Sequence, residues 1–470
     1  MRRRWMVLTV GILLACLQPP ASAHPALASA AASGSPTPAI GHVFVIVLEN
    51  ESYKATYETN PNPYLGKTLR RRGTLLSQYF GIGHVSHDNY LAMMSGQAPG
   101  AESQSDCQQY VDFTPSPAVF ATEGQAAGVG CVLPPNVASL PDQMEKAGLR
   151  WHGYMQSMGN DLNREPDRCG EPTSSFGTGM RDGTQTAAAN DQYAARHNPF
   201  VYFHSLIDSG SCERNVVPLP HLATDLASTA TTPNLSYIVP DLCNDGHDAP
   251  CKGKDVAGST AGGLSSVDHF LAQWVPKIQA SPAYRAGGLI VITTDEADNS
   301  DATACCGEQP GPNSPAPGIT GPGGGRIGTL VLGRCVRGGA TDSTPYNHYA
   351  LLRSLEDLYG IRTGGADGKG HLGMAGATGL APFGRGVFAA CPVGGLRTGS
   401  PPSGADGSGP ASGGPGSAGQ APGTASGGQA PGTASAVLPA TGGLPLAPFG
   451  VAALALTTAA LAGRRHLRRS

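Results

Sequence analysis

Four stretches of the chain are apolar without alternation. His42–Leu48 runs into Glu49 and Asn50, Leu235–Val239 into Pro240 and Asp241, and Gly288–Thr294 into Asp295 and Glu296; Gly328–Leu332 is a shorter run of the same kind. Unbroken, β-branched runs suit strands covered on both faces, as in a parallel sheet. Between them Ala138–Ala147, Val267–Gln279 and His348–Tyr359 space their apolar residues at helical intervals. This alternation predicts an α/β fold, a three-layer α/β/α sandwich around a mostly parallel central sheet. In such sheets ligands bind beyond the C-terminal strand ends. Glu49, Asp241, Asp295 and Glu296 would gather there.

The two ends break the pattern. Arg2, Arg3 and Arg4 precede an apolar stretch, Trp5–Leu17, and a small-residue site, Ala21-Ser22-Ala23. That order predicts a secretory signal peptide over residues 1–23. At the other end Leu438-Pro439-Ala440-Thr441-Gly442 is followed by an uncharged span, 443–463, and then by Arg464, Arg465, Arg468 and Arg469. Motif, apolar span and basic stop in register resemble a sortase cell-wall sorting signal, over 438–470. The resemblance implies a span held in the membrane until sortase cuts after Thr441 and joins the chain to peptidoglycan. Residues 398–437 are nearly all Gly, Pro, Ser, Ala, Thr and Gln, with QAPGTAS at Gln420–Ser426 and again at Gln429–Ser435. Such a segment cannot bury a core and reads as a disordered stalk. The catalytic domain is then expected over 40–392, in a protein secreted and anchored to the wall.

Charge changes the picture once these ends are assigned. The whole chain is nearly balanced, at −3. Losing both targeting ends removes seven arginines and no acid, so the exported chain falls by seven to −10. The near-neutral balance of the whole chain argues against a nucleic-acid partner, which would usually bring a basic surplus. Of 11 cysteines Cys16 leaves with the leader, and ten remain. An even number in an exported chain suggests disulfides, with connectivity open.

Clustered carboxylates repel one another unless a cation compensates them. With histidines nearby, they suit metal-assisted phosphoryl chemistry. The blocks that carry these residues resemble the bacterial and fungal phosphoesterase family. That family contains acid phosphatases and phospholipases C and is distantly related to alkaline phosphatase. The resemblance rests on HVFVIVLENESY (His42–Tyr53), GHVSHDNYLAMMSG (Gly83–Gly96), LPDQMEKAGLRWHGYM (Leu140–Met155), YAARHNPFVYF (Tyr193–Phe203), VPDLCNDGHD (Val239–Asp248), LIVITTDEAD (Leu289–Asp298) and the run to Ile361 that contains His348. Relatives often have Pro where this chain has Asp88.

The resemblance implies an alkaline-phosphatase-like fold and a divalent metal ion of unspecified identity. Its ligands would be Glu49, Asn50, Ser86, Asp241, Asp295 and Glu296. Ser86 would be the nucleophile and Asn89 and Arg196 would bind phosphate. His197, His247 and His348 would stabilise or protonate the leaving oxygen. From the polar run Val239–Asp248 the candidates are Asp241, Asn244, Asp245 and His247, with Asp241 and His247 favoured. The implied activity is acid phosphatase action on phosphate monoesters, phosphatidylinositol 3-phosphate among them. Two other readings stand beside it: a phospholipase C-type phosphodiesterase, and a wall-displayed adhesin on a degenerate enzyme scaffold.

Overall fold

The unbroken apolar run at the start of the folded region forms β1 (Val43–Leu48), and every residue of it is buried. A computed structural model describes residues 40–388 except 60, 121–123, 174–180, 308–317 and 319–320. Around β1 lie β2 (Thr74–Leu76), β3 (Trp151–Met155), β4 (Val216–Pro218), β5 (Leu235–Val239), β6 (Leu289–Thr294), β7 (Thr329–Gly333) and β8 (Thr341–Asp342). Their order across the sheet is β8-β2-β7-β6-β1-β5-β3-β4. The five neighbours β6-β1-β5-β3-β4 are parallel, with Val45 opposite Tyr237 on one side and Val291 on the other. The run expected near Gly328 is β7, which lies antiparallel to both β6 and β2. The fold is mixed α/β with a mostly parallel central sheet.

Side chains of a strand alternate between faces, and both faces of β1 are covered. Val43, Val45 and Val47 join a core cluster with Met93 of α1 (Ser86–Ser95), Met144 of α2 (Leu140–Lys146), and Leu351 and Leu355 of α4 (His348–Leu358). Phe44, Ile46 and Leu48 join a second cluster with Phe270, Leu271 and Trp274 of α3 (Gly263–Ala280). Helices therefore flank both sides of the sheet, in three layers. Each large side chain buried in these layers contributes about 1.5–3 kcal/mol.

Caps fix where two helices begin. Ser139 and Asp142 form a reciprocal capping box at α2. The Asn347 side chain accepts from the Ala350 amide at 3.0 Å, which sets His348 as the first residue of α4.

Disulfides join Cys107 to Cys131, Cys169 to Cys212, Cys243 to Cys251, and Cys305 to its neighbour Cys306. Cys335 is disulfide-bonded too. Cys391, the leader, the stalk and the sorting segment with its apolar span lie outside the described residues. Among the described residues no helix is long and apolar enough to cross a membrane.

Candidate active site

Because β1, β5 and β6 are parallel neighbours, their C-terminal ends meet on one edge of the sheet. Backbone bonds carry the ladder one step further: the Glu49 amide donates to Asp245 O (2.8 Å), and the Asp295 amide to Leu48 O (2.9 Å). Gly246 lets the chain pass close. Its φ is +112°, and a Cβ there would sit 2.7 Å from Glu49 O. Three acids from three strands are thus brought together below the surface.

Glu49 is the centre of the first group. Its carboxylate accepts from Ser86 Oγ at 2.6 Å and from the Tyr90 hydroxyl at 2.6 Å. Ser86 and Tyr90 are four residues apart on α1 and share a face. His197 Nε2 stands 3.3 Å from Glu49 Oε2, and its Nδ1 stands 3.5 Å from Asp245 Oδ2. The Tyr90 ring stacks parallel on His197, with centroids 5.4 Å apart. Ligand atoms of Glu49, His197 and Asp245 all lie within 4.8 Å of one another.

The second group centres on Asp295 and Glu296. Asn50, at φ +54°, donates its amide to Asp295 Oδ1 (3.0 Å) and its side-chain Nδ2 to Glu296 Oε1 (2.8 Å). Glu296 Oε2 accepts from the Val85 amide at 2.7 Å and lies 3.3 Å from His84 Nδ1. Val85 is held at φ +105°, a conformation that a β-branched residue rarely adopts. Asn89 supplies the restraint. Its Oδ1 accepts from the Ile82 and Gly83 amides, and its Nδ2 donates to Gly83 O and Val85 O. The turn that presents Ser86 at the start of α1 is therefore clamped by Asn89 from within and by Glu296 from across the site.

Burial dominates the electrostatics. It pushes Glu49 well above the usual carboxylate range, with Asp295 and Asp245 adding to the effect. Asp245 and Asp295 are raised for the same leading reason, Asp295 with further help from Glu296. His197 is driven well down by burial, then by Arg196. Asp245 Oδ2, Asp295 Oδ2, His197 Nε2 and Asn50 Oδ1 are buried with no hydrogen-bond partner among the described residues. Buried polar atoms are normally satisfied. Oxygen and imidazole donors left open among crowded carboxylates fit a hard or borderline divalent cation.

Several expected residues sit elsewhere in the arrangement. Asp241 accepts from Ser157 Oγ (2.6 Å), Asn244 Nδ2 (2.7 Å) and the Cys243 amide (3.2 Å). Oδ1 is thus spent on its own turn and Oδ2 on Ser157, and Asp245 is the residue of this run that reaches Glu49's group. Asn89 has no free amide to offer phosphate, since both ends of it clamp the Ser86 turn. His348 donates from Nε2 to Asp295 O (2.6 Å) and accepts at Nδ1 from the Tyr79 hydroxyl (3.2 Å). It supports the backbone of a cluster residue, and burial lowers its pKa to about 4. Arg196 and His247 flank His197: Arg196 Nη2 donates to His247 Nε2 (3.3 Å), and the two imidazole rings are 6.1 Å apart. Tyr90 and His84 lie in the quoted Gly83–Gly96 block but were not among the candidates.

A sequence profile described as the Phosphoesterase family matches residues 55–362. The chain belongs to the phosphoesterase family. Glu49 and Asn50 lie just ahead of the matched stretch. The phosphatidylinositol-3-phosphatase of Mycobacterium tuberculosis is 24% identical over 352 residues, covering 75% of this chain and 87% of that one. The phosphate-repressible acid phosphatase of Penicillium chrysogenum is 24% identical over 296 residues, 62% of this chain; the match spans only 53% of the fungal enzyme. Among solved structures, a protein in the alkaline phosphatase superfamily from Vibrio parahaemolyticus overlays with a TM-score of 0.38 at 12% identity, covering 69% of each chain.

Proposed function

We propose that the protein is a metal-dependent phosphatase that cleaves phosphate monoesters through Ser86, on an alkaline-phosphatase-like scaffold. One observation carries the reading. Ser86 Oγ, at the N-terminus of α1, donates at 2.6 Å to Glu49 within a group of crowded, buried acids. A serine hydroxyl is a weak nucleophile until a base or a metal activates it. Glu49, His197 and Asp245, together with Asn50, Asp295 and Glu296, would hold the cation. When bound, it supplies the charge that offsets these carboxylates and polarises a phosphate oxygen.

The residues do the rest. Ser86 Oγ attacks phosphorus and passes its proton to Glu49, and the P–O bond to the leaving group breaks. The positive end of the α1 dipole favours the phosphate charge. The leaving oxygen takes its proton from water; buried Arg196 and the exposed His247, held at Nε2 by Arg196 (3.3 Å) and at Nδ1 by Asp248 (2.8 Å), stand beside His197. Water then displaces Ser86 from phosphorus, Glu49 returns the proton to Ser86 Oγ, and phosphate is released. The mycobacterial relative suggests phosphatidylinositol 3-phosphate as one substrate. The terminal segments support an exported protein tethered to the cell wall, and the disulfides suit that oxidising setting.

The test is p-nitrophenyl phosphate hydrolysis by the parent and by Ser86→Ala, each chelated and then resupplied with single divalent ions. The parent should lose activity on chelation and regain it with at least one ion. Ser86→Ala should stay lower by about 10³-fold or more. A Ser86→Ala protein working at the parent rate would exclude the mechanism.

A further inference from the structure

An open cavity of about 530 Å³ lies beyond the C-terminal ends of β3 and β5, outside the acid and histidine groups described above. One of its walls is Asp241, and the turn from Asp241 leads directly to Asp245. The Asn244 and Asp245 amides both fold back onto Asp241 O, at 2.7 and 2.9 Å. One tight turn therefore carries both a wall of the cavity and a member of the reacting group.

Both lysines that line the cavity, Lys252 and Lys254, are exposed, and neither ammonium has a hydrogen bond or ion pair among the described residues. Two acids line it as well, with their oxygens taken by protein donors. Asp241 is occupied by Ser157, Asn244 and the Cys243 amide. Asp255 is occupied by His269 (2.7 Å), Ser266 (2.8 Å) and the Ala257 and Ser259 amides. Neutral hydrogen-bonding groups stand beside the lysines: Asn160, Asn190 and Gln192 all line the space. Gln192 is 5% exposed, and its Oε1 is buried without a partner.

The lysine loop is also held in place. The Cys243–Cys251 disulfide closes it at one side, and the Val256 amide donates to Asn244 Oδ1 at 3.0 Å. Next to this cavity, and sharing Gln156, Ser157, Asn160 and Val256 with it, lies a second one of about 300 Å³ whose walls include Leu219, Pro220 and Trp274.

We infer that the larger cavity is a leaving-group subsite, where Lys252 and Lys254 bind a second anionic ester on a polyhydroxylated substrate. The inference rests on the phosphatase reading and extends it to substrate class. Paired ammonium groups suit a phosphodiester, and the amides with the unpartnered Gln192 carbonyl suit ring hydroxyls. The apolar cavity beyond would take the start of an acyl tail if the source is a lipid.

Glycerophosphoinositol carries the second anion and the hydroxyls but no scissile monoester, so its binding reads the subsite without catalysis. Calorimetry on the purified protein should show saturable binding, weakened about tenfold in the Lys252→Gln/Lys254→Gln double variant. The Lys252→Arg/Lys254→Arg variant should keep it, and p-nitrophenyl phosphate hydrolysis should be the same in all three proteins. Dioctanoyl phosphatidylinositol is the second probe. Tighter binding than the deacylated form supports the subsite with a lipid source, and equal binding supports it with a free headgroup. No binding of either probe, or equal binding by the double Gln variant, overturns the inference and leaves the Ser86 chemistry untouched.

Discussion

Asp241 and Asp245 are four residues apart and have opposite surroundings. Both oxygens of Asp241 accept hydrogen bonds, from Asn244 and Ser157, whereas Asp245 leaves Oδ2 buried with no hydrogen-bond partner among the described residues, 3.5 Å from His197. Asp245→Asn should therefore lower kcat/KM by at least about 10–100-fold, the range seen when even an outer partner of a metal site is lost. Asp241→Asn should leave kcat/KM nearly unchanged and cost about 1–3 kcal/mol in urea unfolding, the price of a disrupted buried hydrogen-bond set. A reversed ranking of the two variants in kcat/KM would return the ligand role to Asp241. Sequence shows that this loop is rich in acid and amide but not which oxygens the turn itself consumes. The same limit applies to Asn89 and His348. Their side chains are bound to the backbone of residues 82–85 and of Asp295, and that depends on a fold that spacing alone does not describe.

At the scale of elements, the strands that place Glu49, Asp295 and Glu296 were legible because β1 and β6 are long, apolar and followed at once by acid. β2, β4 and β8 were not, since two or three residues carry no periodicity. Helix α1 was hard to read for another reason: all ten of its residues are buried, so it shows no polar face. Converging strand ends also set a pH dependence. The folded-state pKa values of Glu49, Asp245 and Asp295 are raised above their ordinary 4.5, 3.8 and 3.8, chiefly by burial. The cation-free native state then binds more protons than the unfolded chain, and this contribution to stability is lost as pH rises above those ordinary values. A bound cation favours the ionised forms and opposes the loss. The rise in Tm on restoring the activating ion to chelated protein should therefore grow from pH 5 to pH 8. A rise that shrinks over that interval would place the ion away from these three acids.

At the scale of the whole molecule, the three-layer arrangement followed from alternating apolar runs and amphipathic segments, and the family profile at 55–362 falls inside the domain expected over 40–392. The antiparallel β7 could not be read from a short apolar run, because strand direction is set by the connection and not by composition. The terminal segments lie outside the described residues, and their arginines account for the difference between −3 for the whole chain and −10 for residues 24–441. The central claim is that phosphorus passes through Ser86. Its most direct test is to mix the metal-loaded protein with a phosphate monoester, quench in acid within the turnover time, and map the peptides by mass spectrometry. The account predicts phosphate on Ser86 in the parent and none in Ser86→Ala. Full turnover with Ser86 unmodified at every quench time, or phosphate trapped on another residue, would contradict it.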